Sequence, residues 1–376
     1  MRTHPELNLI SHFQDLPDPR VPRTRRHRLI DLLVIAVCTL LCGGEGFNDM
    51  EDFGWAKEDW LKTFLELPDG IPSHDTFNRL FQALDPHSFL ECFVRWTQSL
   101  RAAVSEEIVA LDGKALRRAL QAGGTAPVLV SAWARENGLV LGQLKVSAKS
   151  NEITAVPELL RALELAGCIV TLDAMGCQKN IAKEIIDGGG EYLLAVKGNQ
   201  ETSLRILQET LAEHFESNTP PPRGSRHKTH ETKHGRDETR EYVSRPAPAS
   251  LKKLGWTAVR SIGMVHSRTL RDGKLCEESR YYLSSHRPSA RKLAKFARGH
   301  WSIENSLHWV LDMSFHEDLC RLRTGHAAEN LALLNRIALS LLKADQTVKA
   351  GIACKRKTAG WDDQYLLQLL INSNTI

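Results

Sequence analysis

The chain has 376 residues, 42% hydrophobic and 25% charged, with a formal net charge of +4. It is long enough for two or three domains and a substantial core, with a composition ordinary for a soluble globular protein. Its eight cysteines show no CxxC pair and no framework spacing, which argues against a disulfide scaffold and a cysteine-held zinc site.

The mild positive surplus does not by itself argue for nucleic acid, so the distribution of charge matters more than its sum. Arg20, Arg23, Arg25, Arg26 and Arg28 fall close together. Residues 222–253 hold nine Lys or Arg against four acids, and 287–298 hold five with no acid. One such cluster reads as a solvated face; three beside candidate catalytic segments point to a polyanionic partner. The first apolar stretch, Leu29 to Leu41, has only 13 residues and contains Asp31, too short to span a bilayer. A cytoplasmic, reduced, nucleoid-associated protein is expected.

Residues 1–104 read as helical. "HRLIDLLVIAVCTLLCGG" is continuously apolar with a Gly43-Gly44 stop, and Cys38 and Cys42 within it read as core thiols. "DMEDFGWAKEDWLKTFLELPDG" follows on a helical period. "IPSHDTFNRLFQALDP" places Ser73 as an N-cap and Asp85-Pro86 as a stop. The set forms either a helix-turn-helix-like reader or a small helical packing domain.

From about 106 the pattern becomes β-like. "IVALD", "PVLVSAWA" and "LVLGQLKV" are three short runs, turning at Gly123-Gly124 and at Asn137-Gly138. Asn-Gly between two such runs is a strong hairpin signal. Helix "PELLRALELAG", strand "CIVTLDA", helix "QKNIAKEIIDGGG" and strand "EYLLAVKG" then alternate. This order predicts a mixed α/β sheet covered by helices. The glycine run at 188–190 reads as a helix C-cap and turn, since no Gly-Lys-Ser/Thr follows it. "SNTPPPRGS" (217–225) opens an excursion with strands in "HGRDETREYV", "WTAVRSIGMVHSR" and "EESRYYLSS". Helix resumes from Pro288 to about Lys343, and the tail from Lys355 reads as a basic turn and a short amphipathic helix.

Two aspartates end apolar strands, Asp112 in "IVALDGK" and Asp173 in "CIVTLDAMG". Each alone is most simply a turn or helix cap. Two in one sheet, with a third carboxylate on a later helix, suit phosphodiester chemistry, in which two Mg²⁺ (or Mn²⁺) ions held by a few carboxylates activate water and stabilise the leaving oxygen. The third carboxylate is Glu304, in "GHWSIENSLHWVLD". There Ile303, Leu307, Val310 and Leu311 make a core stripe, while Glu304, His308 and Asp312 step by four on another face. Trp301 and Trp309 are expected in the core. Glu317 and Asp318 read as helix-end or surface acids, and Glu152 as a residue near the start of its helix.

"LDGK" near 112, "TLDAMGCQ" at 171–178, "YLLAVKGNQ" at 192–200 and "HWSIENSLHWVLDMSFHED" at 300–318 resemble the DDE transposases of bacterial insertion sequences, closest to the H-repeat-associated branch. "IPSHDTFNRLF", "KSNEITAVPELL" and "HGRDETR" extend the likeness over nearly the whole chain. The resemblance implies an RNase H-like core at 105–345, with the two aspartates on adjacent strands and the glutamate on a C-terminal helix. It also implies a helical N-terminal domain at 1–104 that holds DNA ends, a β-rich insertion at about 217–285, and a tail at 346–376. Asp112, Asp173 and Glu304 are then the catalytic and metal-binding residues. The Tyr, Arg and Lys that many relatives place around the glutamate are replaced here by Ala297, His300 and Leu311. Arg298 or His300 takes over the phosphate contact. Lys114, Lys197, Asn199, Gln200 and Arg236 are further candidates for touching DNA. The implied activity is strand cleavage at the element's own terminal repeats and transfer of the freed 3′-hydroxyl into target DNA, in a dimeric synaptic complex. Two rivals are a nuclease of the same fold that cuts without joining, and an inactive, transposase-derived DNA-binding protein.

Overall fold

A computed structural model of the chain describes residues 8–120, 125–146, 152–216, 224–233 and 235–371. The expected turn at Gly123-Gly124 and the proline run at 220–222 lie outside them.

Nine strands form one sheet: β1 (Glu107–Ala115), β2 (Val128–Ala134), β3 (Leu139–Lys145), β4 (Cys168–Leu172), β5 (Glu191–Val196), β6 (Arg226–Lys233), β7 (Arg236–Pro246), β8 (Ser261–Arg271) and β9 (Lys274–Ser284). Their order across the sheet is β3-β2-β1-β4-β5-β9-β8-β7-β6. The Asn137-Gly138 hairpin joins β2 and β3 as its sequence predicts. β1, β4 and β5 run parallel, joined by helices, and their apolar residues are buried on both faces.

The excursion after residue 216 does not stand apart from this sheet. β9 pairs antiparallel with β5, and β8, β7 and β6 add outward from it. Strand β6, "RHKTHETK", has no apolar alternation to betray it; it is paired along its whole length with β7. Asp272-Gly273 turns β8 into β9, a hairpin signal of the same kind as Asn-Gly.

Helix Ala290–His300 packs its apolar side (Leu293, Phe296, Ala297) on one face of the sheet, over Ile108, Ile169 and Leu193. Helices Glu152–Ala162 and Ala327–Ala344 cover the opposite face, and the N-terminal helices pack against the second of these. Asp85-Pro86 does more than end helix His74–Ala83. Asp85 caps a further helix, Pro86–Leu100, accepting from the Ser88 N–H, with Pro86 at its first position.

The C-terminal basic segment is helix, Ile352–Trp361, where the sequence suggests a turn. The cause is what its cations do. Arg356, 4% exposed, donates to the carbonyls of Leu40 (2.8 Å), Gly44 (2.9 Å) and Ser314, tying helix Leu29–Leu41 to the segment ending at Phe315. Lys355 donates to Leu342 O (2.9 Å) and Asp345 O (2.5 Å), so both cations cap helix ends. Arg356→Met removes the donor to all three carbonyls; Leu40 O keeps the Gly43 N–H (3.4 Å), and the other two each cost about 1–3 kcal/mol if they stay buried. A thermal melt of this variant should show a midpoint several degrees lower; an unchanged midpoint would mean that water replaces the guanidinium.

Candidate active site

The two strand-end aspartates come together by register. β1 lies parallel to β4 with Ala110 opposite Thr171, and Asp112 and Asp173 each follow two residues later. With a period of two, this sets both carboxylates on the same face of neighbouring strands. Asp173 also does what the simpler reading asks of it: its Oδ1 accepts from the N–H groups of Met175 (3.0 Å) and Gly176 (3.2 Å).

The Glu304 segment lies lengthwise on that face. Gly299 sits so close to β1 that a Cβ there would fall 2.5 Å from Ile108 Cδ1. Further along, His308 Nδ1 is 3.5 Å from Asp112 Oδ2, and Asp312 Oδ1 is 2.6 Å from Lys114 Nζ. From Gly299 to Asp312 the helix advances ~20 Å at about 1.5 Å per residue, and from Ile108 to Lys114 the strand advances ~20 Å at about 3.3 Å per residue. Helix and strand therefore stay in step. The expected stripe of Ile303, Leu307, Val310 and Leu311 is buried throughout. Between helical turns the chain opens into one π turn, Glu304–His308, closed by the Trp309 N–H on the Glu304 carbonyl.

Trp301 and Trp309 are not core residues. They are 40% and 60% exposed, because the aliphatic stripe already fills the contact with the sheet. The Arg280 guanidinium lies 4.6 Å from the Trp301 ring.

Electrostatics mark the cluster. Burial pushes the Asp112 carboxyl up to about 7, and the neighbouring Asp173, Glu152 and Glu304 carboxylates add to the shift, opposed by the Gly113 N–H. Burial, with Asp173, also raises Glu152, at the start of its helix. Burial lowers His308 to about 4, with Arg336 and Lys114 contributing, so the imidazole beside Asp112 is neutral at pH 7.

Several side chains expected to touch DNA have partners inside the protein. Lys114 is 7% exposed and held by Asp312 (2.6 Å), Asp318 (2.8 Å) and Glu317 (3.6 Å). That replaces its expected phosphate role with a structural one. Glu317 is no surface acid: it is 3% exposed and bonded at 2.6 Å to the fully buried Arg336. Asn199 and Gln200 donate to Ala174 O (2.7 Å) and Cys177 O (3.0 Å), bracing the loop after Asp173. His300 bonds Thr171 on β4 (3.1 Å), and burial lowers its pKa. Arg298 pairs with Glu231, and Arg236 with Glu238 (3.2 Å). Lys197 is exposed at the end of β5.

A lone arginine in "NLALLNRIALSLL" was the available signal for the buried ion pair, since an interior guanidinium demands a carboxylate. No comparable signal marks Glu152.

The donor set is one that divalent cations take: hard carboxylate oxygens that repel one another when nothing neutralises them. Among the described residues no group of three His, Cys, Asp or Glu side chains is arranged to hold an ion as it stands. The chemistry of the donors fits such a cation; closure around it takes side-chain adjustment.

Strand-end aspartates on neighbouring parallel strands of a large mixed sheet, beside a helix that carries a glutamate, are an arrangement suited to nucleic-acid strand processing. A "Transposase DDE domain" model matches residues 105–341, and a "DDE_Tnp_1-associated" model matches residues 10–97. The chain belongs to the DDE transposase family. It is 38% identical over 376 residues to "Putative transposase YncI" of Escherichia coli O157:H7, covering 98% of this chain and 96% of that one. It is 36% identical over 373 residues to "H repeat-associated putative transposase YhhI" of Escherichia coli strain K12, covering 97% and 98%. A piggyBac transposase synaptic complex with hairpin DNA aligns over 99% of this chain and 78% of that one at 9% identity, with a TM-score of 0.44, a likeness too weak to argue from. No helix among the described residues is long and apolar enough to cross a membrane.

Proposed function

We propose that the protein is an active transposase with an RNase H-like core, cleaving strands at the ends of its own insertion element and joining the freed 3′-hydroxyls to target DNA. The observation that supports this most is the meeting of Asp112 and Asp173 on neighbouring parallel strands, with the Glu304 segment laid along β1. In this reading Asp112, Asp173 and Glu304 hold two Mg²⁺ or Mn²⁺ ions. Bound there, such ions lower the pKa of an attacking water and neutralise the departing oxygen.

The chain's own part is positioning. Strand ends fix the aspartates, Asn199 and Gln200 brace the loop behind Asp173, and neutral His308 faces Asp112 without adding charge. No side chain is needed as a covalent nucleophile. DNA would be gripped through phosphates by Lys197 and by a groove of about 760 Å³ that adjoins the Glu304 segment. The groove is lined by Arg236, Arg240, Arg280, Arg298, Trp301 and Asn305. Its arginines are paired with Glu231, Glu238 and Glu278, and phosphates would take over those partnerships. In the same reading, residues 1–104 form an end-binding domain, 105–345 the catalytic domain and 346–376 the tail, and synapsis of two ends requires a dimer.

The test is Mg²⁺-dependent nicking of a labelled duplex carrying the element end, comparing wild type with Asp173→Asn. Cleavage by wild type alone, leaving a 3′-hydroxyl that joins to added target DNA, is the expected result. Cleavage without joining would reduce the reading to a nuclease. Binding by both proteins with cleavage by neither would leave a DNA-binding protein.

A further inference from the structure

The arginines of the groove beside the Glu304 segment are each paired with a glutamate. In the N-terminal domain the pairing is divided. Loop 18–28 joins helix Asn8–Phe13 to helix Leu29–Leu41 and carries five arginines. Two of them are used inside the loop. Arg20 forks onto Asp18, Nε to Oδ1 at 2.9 Å and Nη2 to Oδ2 at 2.7 Å, and Nη2 also donates to His27 O at 2.9 Å. Arg25 folds back the other way, donating through Nε to Arg20 O (2.8 Å) and through Nη2 to Asp18 O (2.9 Å). The two ends of the loop are thereby tied together, and Pro19 and Pro22 restrict the backbone between them.

A third arginine, Arg28, pairs with Glu66. Arg23 and Arg26 remain. Both are exposed, and their side chains make no hydrogen bond or ion pair among the described residues. Ordering a polar loop opposes folding by about 1–2 kcal/mol per residue. Here the hydrogen bonds that offset this cost fix the place of two cations that meet nothing in the protein. Guanidinium groups held away from any carboxylate are well suited to phosphate.

The helix of this domain that the sequence offers as a reader, His74–Ala83, is poorly placed for that partner. Its first turn carries Asp75, and the Glu51 carboxylate accepts from the His74 N–H at 2.7 Å. An acid therefore already occupies the helix end through which a recognition helix meets DNA. Arg79 is its only lysine or arginine.

We propose that loop 18–28 is the surface with which the N-terminal domain grips duplex DNA, Arg23 and Arg26 contacting phosphates while Asp18, Arg20 and Arg25 hold the loop in shape. The inference rests on the end-binding reading of this domain and names the residues that carry it. Phosphate contacts position a duplex without reading its sequence, so the loop sets where the DNA lies and leaves recognition of the element end to other residues.

The test uses the full-length protein and labelled duplexes with and without the element end, bound over a range of salt concentrations below each protein's melting midpoint. The double change Arg23→Ala with Arg26→Ala alters two exposed, unpaired side chains, so it should melt as wild type does. It is expected to weaken binding of both duplexes by about tenfold or more, and to make the fall of affinity with salt shallower by about 2 on a log–log scale. Asp18→Asn removes an acid and so raises the positive charge of the domain, yet it should also weaken binding, because the brace is lost. Asp18→Asn binding more tightly than wild type would overturn the braced loop. Wild-type affinity and salt slope in the double variant, with binding weakened by Arg280→Ala, would overturn the inference and leave the groove as the grip. Wild type that binds neither duplex would overturn both this inference and the reading beneath it.

Discussion

Asp112→Asn is expected to stabilise the cation-free protein while abolishing strand nicking. In the unfolded chain this carboxyl titrates near 3.8; in the fold, burial and three neighbouring carboxylates raise it to about 7. The folded state therefore keeps a proton that the unfolded state has already released. Stability from this residue is lost as pH climbs from about 4 to about 7, and the full cost is present above that window. At about 1.4 kcal/mol per unit, the cost is on the order of 2–4 kcal/mol for a side chain still 26% exposed. Asparagine has nothing to ionise, so its midpoint in EDTA at pH 8 should lie above that of wild type. Mg²⁺ should close the gap from the other side, adding about 2.7 kcal/mol to wild type at a hundred times its dissociation constant and little to the variant. A variant that melts below wild type in EDTA, with wild type indifferent to Mg²⁺, would show that the Asp112 cluster is not a cation site.

The second large effect belongs to the ion pair beneath the site. Arg336 and Glu317 side chains are 0% and 2% exposed and bonded at 2.6 Å, and Lys114 is drawn into the same network. Removing one partner leaves the other charge buried without compensation, a loss of about 3–5 kcal/mol. Glu317→Gln and Arg336→Met should each lower the thermal midpoint sharply. The double change Glu317→Met with Arg336→Met should recover much of the loss, because the desolvation of both ions disappears with them. Burial opposes ionisation of Glu317, but Arg336 and Lys114 outweigh it and hold its carboxyl below the usual value. The contribution is therefore present at neutral pH and lost as pH falls through the lowered folded value, the reverse of Asp112. Single variants as stable as wild type would mean that the network is solvated.

Much of this molecule can be read from sequence because the relevant signals are local. Strand-end aspartates, an Asn-Gly hairpin and a helical stripe at 303–311 are each set by a few adjacent residues, and each element forms where expected. What escaped was decided at a distance. "KRK" looks like a surface turn until the carbonyls of Leu40, Gly44 and Leu342 arrive beside it. Lys114 looks like a phosphate contact until a helix about two hundred residues later brings it three acids. Glu152 fills the space that a side chain at Gly113 of another strand would take, which no periodicity in its own segment records. Strand β6 is stabilised by pairing with β7 and carries no apolar pattern of its own.

The single π turn at Glu304–His308 has a consequence for how this site can vary. A π turn holds one residue more than the α turn it replaces, so removing any one of those five positions would let the segment close as ordinary helix. The turns on either side would keep their phase, because the π turn closes over one extra residue the rotation that an α turn closes without it. Gly299 would keep its seat on Ile108 and Asp312 its hold on Lys114, while the residues from Glu304 to His308 would take new directions. The extra residue therefore sets the aim of the side chains inside the turn and leaves the two ends of the helix where they are.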